Sequence, residues 1–308
     1  SLAFVFPGQG AQTIGMGRDL ADAYPAAKAV FDEVDEALGE KLSDLIWDGD
    51  ADTLTLTQNA QPALMATSLA AVRALEAEGV SVTSASFVAG HSLGEYSALC
   101  AAGALDLADT ARLLRLRGQA MQSAVPVGEG AMAAILGLDI DAVEALAADA
   151  AEGEVCEVAN ENDPAQTVVS GSKAAIDRVV AMAKDRGARR ALPLPVSAPF
   201  HCALMKPAAD AMAQALQDVA ISAPSVPLVA NVVAKAVSDP DEIRRLLVEQ
   251  VAGRVRWRAS VEWMAGQGVD AFWELGAGKA LSGMIRRIAK EAETRAIGTA
   301  ADVAALND

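Results

Sequence analysis

The sequence is poor in the residues that build metal sites and disulfide frameworks. Its 308 residues include three cysteines, Cys100, Cys156 and Cys202, an odd number with no CxxC spacing, and only two histidines. A disulfide scaffold and a histidine- or cysteine-built metal centre are both poorly supported, and a reducing, cytoplasmic setting is the expectation. No apolar run approaches the roughly 20 residues that a membrane-spanning helix needs. The first residues carry neither a basic region nor a cleavable apolar core, so no secretory signal is expected there. Positive charge is in deficit: 25 Lys and Arg stand against 41 Asp and Glu, a net charge of −16. An acidic chain repels nucleic acid and anionic membranes, and neither is an expected partner. An acidic partner would need a local basic patch. The candidates are Lys184, Arg186, Arg189 and Arg190, and the run Arg254, Arg256 and Arg258; ordinary solvated surface charge is the competing reading.

What is present is apolar and regularly patterned. Hydrophobic residues make up 52% and charged residues 21%, enough to bury a sizeable core. Leu2–Phe6 reads as a buried strand ending in the turn-rich Pro7-Gly8-Gln9-Gly10. Helical patterns follow around 16–38 and 61–78. A second strand is expected at Ser86–Ala89, with a helix opening at Leu93. Alternating strands and helices imply a mainly parallel sheet covered on both faces. From Ala131 to Leu194 the order changes to strand, helix, strand, strand, helix, strand, the ferredoxin-like βαββαβ unit. The expected architecture is therefore α/β. Residues 1–125 and 198–308 would form the α/β unit, and 126–197 an inserted ferredoxin-like one. After the insertion a strand is expected at Val226–Val232, a helix begins at Asp239-Pro240, and late strands fall at Ala271–Leu275 and Arg295–Gly298. Two glycine fragments, Gly8-x-Gly10 and Gly276-Ala277-Gly278-Lys279, lack the spacing of nucleotide-binding loops and read as turn or packing glycines.

Gly90-His91-Ser92-Leu93-Gly94 is a GxSxG segment between a strand and a helix, the pattern of a nucleophile elbow. A serine on so tight a turn needs neighbours without a Cβ, and the N–H groups of the following helix favour developing negative charge. The competing reading of Ser92 is a helix N-cap. A serine nucleophile needs a base. His91 adjoins Ser92 and should point away from it, which leaves His201, at the start of a helical pattern that would hold its imidazole neutral. An ordinary serine hydrolase places its acid between serine and histidine and its histidine late. Here more than 100 residues follow His201, so a carbonyl could replace the acid as the group that orients the ring.

Asp106 is placed to cap a helix over about 107–124. Within it, Arg117 has Leu113, Leu114, Ala120 and Met121 at i−4, i−3, i+3 and i+4, which puts a guanidinium on the core-facing stripe. Arg115, beside Arg112 and Gln119, should reach water. A buried guanidinium needs an anion. Either a carboxylate of the chain supplies it, or a ligand brings one and the planar fork binds it bidentately. In the second case the acyl group would be a dicarboxylic half-thioester.

Taken together, these segments resemble the malonyl-CoA:acyl carrier protein transacylases and, more broadly, the acyltransferase domains of fatty-acid and polyketide synthases. The resemblance is carried by FVFPGQGAQTIGMG (4–17), TQNAQPAL (57–64), AGHSLGEYSAL (89–99), Arg117 within LRLRGQAMQ, VANENDPAQTVVSG (158–171), PFHCALM (199–205), VEQV around Gln250 and WELGAGKAL (273–281), which span nearly the whole chain in order. It implies an α/β-hydrolase-like catalytic subdomain over 1–125 and 198–308 with a ferredoxin-like small subdomain, and a ping-pong transfer of malonyl from malonyl-CoA to the phosphopantetheine thiol of acyl carrier protein, with no bound cofactor. It implies Ser92 as nucleophile, His201 as base and then acid, and Arg117 on the malonyl carboxylate. The backbone N–H groups of Gln9 and Leu93 would form the oxyanion hole, and the carbonyl of Gln250 would orient His201. Phe200 resembles the malonyl-type pattern of polyketide acyltransferases. The acidic carrier would dock on a basic patch, Arg189 and Arg190 being the candidates. A serine hydrolase or thioesterase, the malonyltransferase component of a malonate decarboxylase, and a non-catalytic carrier-docking scaffold are the competing functions.

Overall fold

The computed structural model describes residues 1–307; the end of the expected catalytic unit, Asp308, lies outside the described residues. Among the described residues, ten strands form two sheets. The first contains β1 (Leu2–Phe6), β2 (Phe87–Gly90), β7 (Leu228–Val229), β8 (Ala236–Val237), β9 (Ala271–Leu275) and β10 (Glu293–Ile297), in the order β10-β9-β1-β2-β7-β8. All its pairings are parallel except the β7–β8 hairpin. The period of two along β1 explains why both faces are covered. Phe4 and Phe6 join the large core under helices Thr57–Ala77, Gly94–Ala101 and Leu107–Ser123, whereas Ala3 and Val5 join the core under helices Trp257–Gly266 and Ala280–Ile288.

The second sheet contains β3 (Gly130–Leu136), β4 (Cys156–Asp163), β5 (Gln166–Ser172) and β6 (Arg190–Pro193), all antiparallel, in the order β4-β5-β3-β6. With helices Ile140–Ala151 and Lys173–Ala183 it encloses its own apolar cluster. This is the βαββαβ order read from the sequence. Several contacts tie it to the rest of the fold. Val255 exchanges backbone hydrogen bonds with Ala159 (2.8 Å) and Glu161 (3.0 Å), and Arg287 Nε donates to buried Asp163 at 2.7 Å.

The structure departs from expectation in several places. The pattern at 16–38 is two helices, Arg18–Ala23 and Pro25–Leu38, because Pro25 has no N–H to continue the first. Helices Leu42–Asp48, Ala51–Thr55, Trp257–Gly266 and Ala280–Ile288 and strand β8 were not expected. The strand expected at Val226–Val232 shrinks to the two residues of β7. Arg115 does not reach freely into water. Pro62, inside helix Thr57–Ala77, cannot bond the carbonyl of Gln58, and Arg115 Nη1 takes that carbonyl at 2.8 Å.

Candidate active site

The site lies at the carboxyl ends of β1 and β2, where parallel α/β sheets open a crevice. The turn after β2 carries Ser92 in the left-handed region, at φ 55°. That conformation costs a non-glycine residue about 1–3 kcal/mol and must be held by its surroundings. The flanking glycines make it possible. A Cβ on Gly90 would meet the backbone of Gly94 at 1.9 Å, and one on Gly94 would meet the carbonyl oxygen of Phe6 at 2.3 Å. The Asn231 side chain pins the turn from the β7 side, accepting from the Ser92 N–H (2.9 Å) and donating to the Gly90 carbonyl (2.8 Å).

Residues 109 positions apart meet here: Ser92 Oγ lies 2.7 Å from His201 Nε2. On its other side the His201 ring contacts the main-chain carbonyl of Gln250, 2.8 Å from Nδ1. A carbonyl only accepts, so Nδ1 carries the proton and Nε2 is left to accept from the serine hydroxyl. That carbonyl can reach the ring because Gln250 sits in the last turn of helix Pro240–Ala252, where no further helical turn claims it and only the Gly253 N–H approaches, at 3.3 Å. The negative end of the helix dipole therefore faces the imidazole and favours its protonated form during reaction. In the resting site the ring is neutral. Burial, reinforced by the positive charge of Arg117, pushes its pKa down to about 3. Neutrality thus comes from burial and a neighbouring cation, rather than chiefly from the helix start expected from the sequence. His91 points away, as its position required, with Nε2 2.7 Å from Asn162 Oδ1.

Arg117 is 1% exposed. No carboxylate lies within ion-pair distance of it among the described residues. Amide oxygens hold the guanidinium instead: Nη1 donates to Gln61 Oε1 (2.8 Å) and Nη2 to Gln250 Oε1 (2.6 Å). Nη2 also reaches Ser92 Oγ at 3.3 Å, and Tyr96 stacks its ring 5.6 Å from the guanidinium carbon. The choice left open by the sequence between an internal carboxylate and an external one thus narrows, since no direct internal partner is present. A cavity of about 230 Å³ reaches Ser92, Arg117 and His201 together with Gln9 and Leu93. The backbone N–H groups of Gln9 and Leu93 find no acceptor among the described residues, which leaves both donors available beside the serine.

The acyl transferase domain pattern matches residues 3–302, nearly the entire chain. The chain belongs to the acyl transferase domain family. It is 49% identical over 286 residues to the malonyl CoA-acyl carrier protein transacylase of Escherichia coli (strain K12), covering 93% of this chain and 92% of that one. The crystal structure of an acyl-carrier-protein S-malonyltransferase from Bartonella henselae is similar at a TM-score of 0.97 and 55% identity, covering 99% of this chain and 98% of that chain. A malonyl-transacylase solved in complex with a type II PKS acyl-carrier protein is similar at a TM-score of 0.97 and 42% identity over the full length of both.

In this acyl transferase domain the structure gathers Ser92, His201, Arg117, Gln9, Leu93 and Gln250 at one place. Arg189 and Arg190 lie elsewhere, exposed at the start of β6, with no carboxylate in ion-pair range among the described residues. Of the other basic candidates, Arg186 pairs with Asp149, Arg254 with Glu144 and Arg258 with Glu262, whereas Lys184 and Arg256 have no carboxylate in ion-pair range among the described residues. Three residues of the site were missed in the sequence. Glu95 gives the same signal as Arg117, a charge among apolar helix residues. Gln61 stands one turn after Thr57, whose hydroxyl it meets at 2.9 Å. Asn231 gives no local signal, because its role depends on the alignment of β7 with β2. Among the described residues, no group of three or more His, Cys, Asp or Glu side chains could hold a metal ion, and no helix is long and apolar enough to cross a membrane.

Proposed function

We propose that this acyl transferase moves a malonyl group from malonyl-CoA to the phosphopantetheine thiol of acyl carrier protein, supplying fatty-acid elongation. The observation that carries the reading is a buried guanidinium without an ion-paired carboxylate, 3.3 Å from a serine hydroxyl that also meets a neutral imidazole. His201 Nε2 takes the Ser92 proton while Oγ attacks the thioester carbonyl. The Gln9 and Leu93 N–H groups hold the oxyanion, and one such donor is worth ~3 kcal/mol. The C–S bond breaks, and His201 returns the proton to the departing CoA sulfur. The carrier thiol then gives its proton to His201 and attacks the malonyl-serine ester. The C–O bond breaks, and Ser92 regains its proton. Arg117 receives the malonyl carboxylate and fixes the acyl group in one pose. A simple acyl chain leaves that cation without an anion.

The same reading divides the chain into a catalytic unit, 1–125 and 198–308, and an inserted unit, 126–197. The acidic carrier docks on Arg189 and Arg190, exposed at the start of β6 with no carboxylate in ion-pair range among the described residues. That strand runs on to Leu194, Pro195 and Val196 at the lip of the cavity. A cytoplasmic location fits three cysteines that are all free.

Intact mass after exposure to malonyl-CoA or acetyl-CoA tests the reading. One malonyl adduct on Ser92, stable until a thiol acceptor arrives, is the expected result. Equal loading by acetyl-CoA overturns the carboxylate assignment, and continuous turnover without an acceptor favours a hydrolase.

A further inference from the structure

Three carboxylates are buried among the described residues: Asp163, Glu274 and Glu95. Two have evident roles. Asp163 pairs with Arg287, and Glu274 accepts from the Ser282 N–H (2.8 Å) and hydroxyl (2.9 Å) beside its helix start. Glu95 has no cation in contact. Its Oε2 accepts from the Asn231 N–H at 2.6 Å, and its Oε1 faces Gln250 Nε2 at 3.3 Å. The other end of that amide, Oε1, accepts from Arg117 Nη2 at 2.6 Å. Guanidinium, amide and carboxyl therefore stand in line, and the acid nearest the buried cation is one side chain away from it.

We propose that Glu95 is a specificity-determining residue: acting through the Gln250 amide, its charge state sets how much of the positive charge of Arg117 is left for a substrate carboxylate. The proposal rests on the reading that Arg117 receives that carboxylate. An intervening amide transmits charge–charge interaction rather than blocking it, and in a buried site the interaction is strong. An ionised Glu95 neutralises part of the guanidinium charge and repels a second anion. A neutral Glu95 leaves the full charge to the ligand. Burial pushes the Glu95 carboxyl up to about 8, against the opposing pull of the Asn231 N–H, Arg117 and Gln250.

The groups facing Glu95 do not obscure this. Arg117 comes from helix Leu107–Ser123 and stays charged near neutrality. Tyr96, on the same helix as Glu95, is pushed up to about 12, and His201 is held at about 3. His91, on the preceding turn, is lowered by burial. β1 and β2 carry no ionisable side chain. On helix Thr57–Ala77, Arg73 and Glu76 pair with each other near the solvent.

The test is single-turnover loading of Ser92 by malonyl-CoA, followed by intact mass on both sides of pH 8, for the wild type, Glu95→Gln, Arg117→Ala and the double variant. In the wild type the half-saturating malonyl-CoA concentration should rise roughly tenfold above the Glu95 transition, with a smaller change in the maximal loading rate. Glu95→Gln should keep the low value throughout, and should have no such effect once Arg117 is gone. The inference is overturned if the wild-type value is flat, if Glu95→Gln follows the wild-type curve, or if its effect persists without Arg117. Should Glu95→Gln fail to melt cooperatively, the wild type and Arg117→Ala decide: the rise must be present in the first and lost in the second. If Arg117→Ala loads malonyl as well as the wild type below the transition, the carboxylate reading itself fails. A weakened Arg117→Ala beside a flat wild type overturns the Glu95 inference alone.

Discussion

Nη2 of Arg117 lies 3.3 Å from Oγ of Ser92, so the buried cation and the nucleophile are in contact before any ligand arrives. The serine oxygen accepts from a guanidinium while its own proton faces His201. Both contacts favour loss of that proton, the first by charge and the second by supplying a neutral acceptor. The same cation makes the imidazole harder to protonate, which keeps it in its basic form near neutral pH.

Replacing either partner of the reactive pair should have distinct effects. Ser92→Ala should give no malonyl adduct by intact mass. His201→Ala should retain a trace of loading, with kcat/KM for malonyl-CoA lowered roughly 10²- to 10⁴-fold, the usual contribution of a positioned proton acceptor.

Arg117→Ala should weaken malonyl loading by about 10- to 100-fold, the scale of a charge-assisted hydrogen bond. Acetyl loading should be unchanged or improved. Arg117→Lys should not restore the malonyl preference, since an ammonium cannot reproduce the fork that meets Gln61, Gln250 and Ser92 together. Competition between the two CoA esters, read by mass, checks both variants.

Charge reversal at Arg189 and Arg190 should raise KM for the acidic carrier roughly tenfold, with a strong dependence on salt, and leave KM for malonyl-CoA nearly unchanged. Equal changes in both constants would remove these residues from the docking surface.

Gly90→Ala should destabilise the fold by about 3 kcal/mol or more, because its Cβ would fall 1.9 Å from the Gly94 backbone, which has no free side-chain end to swing aside. Denaturant unfolding measures this directly.

Stability should respond to pH in two opposite windows. The His201 pKa is about 3 in the fold and about 6.5 in an unfolded chain. Between those values the unfolded chain binds a proton that the folded one does not, so stability is lost as pH falls from about 6.5 toward 3. For Glu95 the folded value, about 8, lies above the ordinary value of about 4.5. Between those values the folded chain holds a proton that the unfolded one has lost, so this contribution falls away as pH rises from about 4.5 toward 8 and changes no further above it. Between about 4.5 and 6.5 the two slopes oppose each other, so melting temperatures should show Glu95→Gln flattening the fall between about 6.5 and 8, and His201→Ala flattening the fall from about 4.5 toward 3.

Much of this was legible in the sequence where a local pattern has one physical solution. The apolar neighbours of Arg117 placed it in the interior, Asp106 capped its helix by accepting from the Asp109 N–H at 2.7 Å, and the glycines around Ser92 marked the tight turn. The βαββαβ segment could be read because five of its six elements run seven to twelve residues, β6 alone being as short as four. Illegible features depended on distant chain. β7 and β8 are two residues each, too short to show alternation. Asn231 acts only because β7 lies beside β2. The imidazole environment of His201 could not be attributed correctly without knowing that Arg117, far away in sequence, stands next to it.

The group that orients the base belongs to the main chain of Gln250 and has no side chain of its own. Every amino acid offers that same oxygen at position 250. Saturation mutagenesis there would read out the amide that meets Arg117, Glu95 and the Ser92 carbonyl, and would remain blind to the orienting contact. To remove that contact one must shift the end of the helix, by lengthening or shortening it at Gly253, or change the backbone atom itself by chemical synthesis.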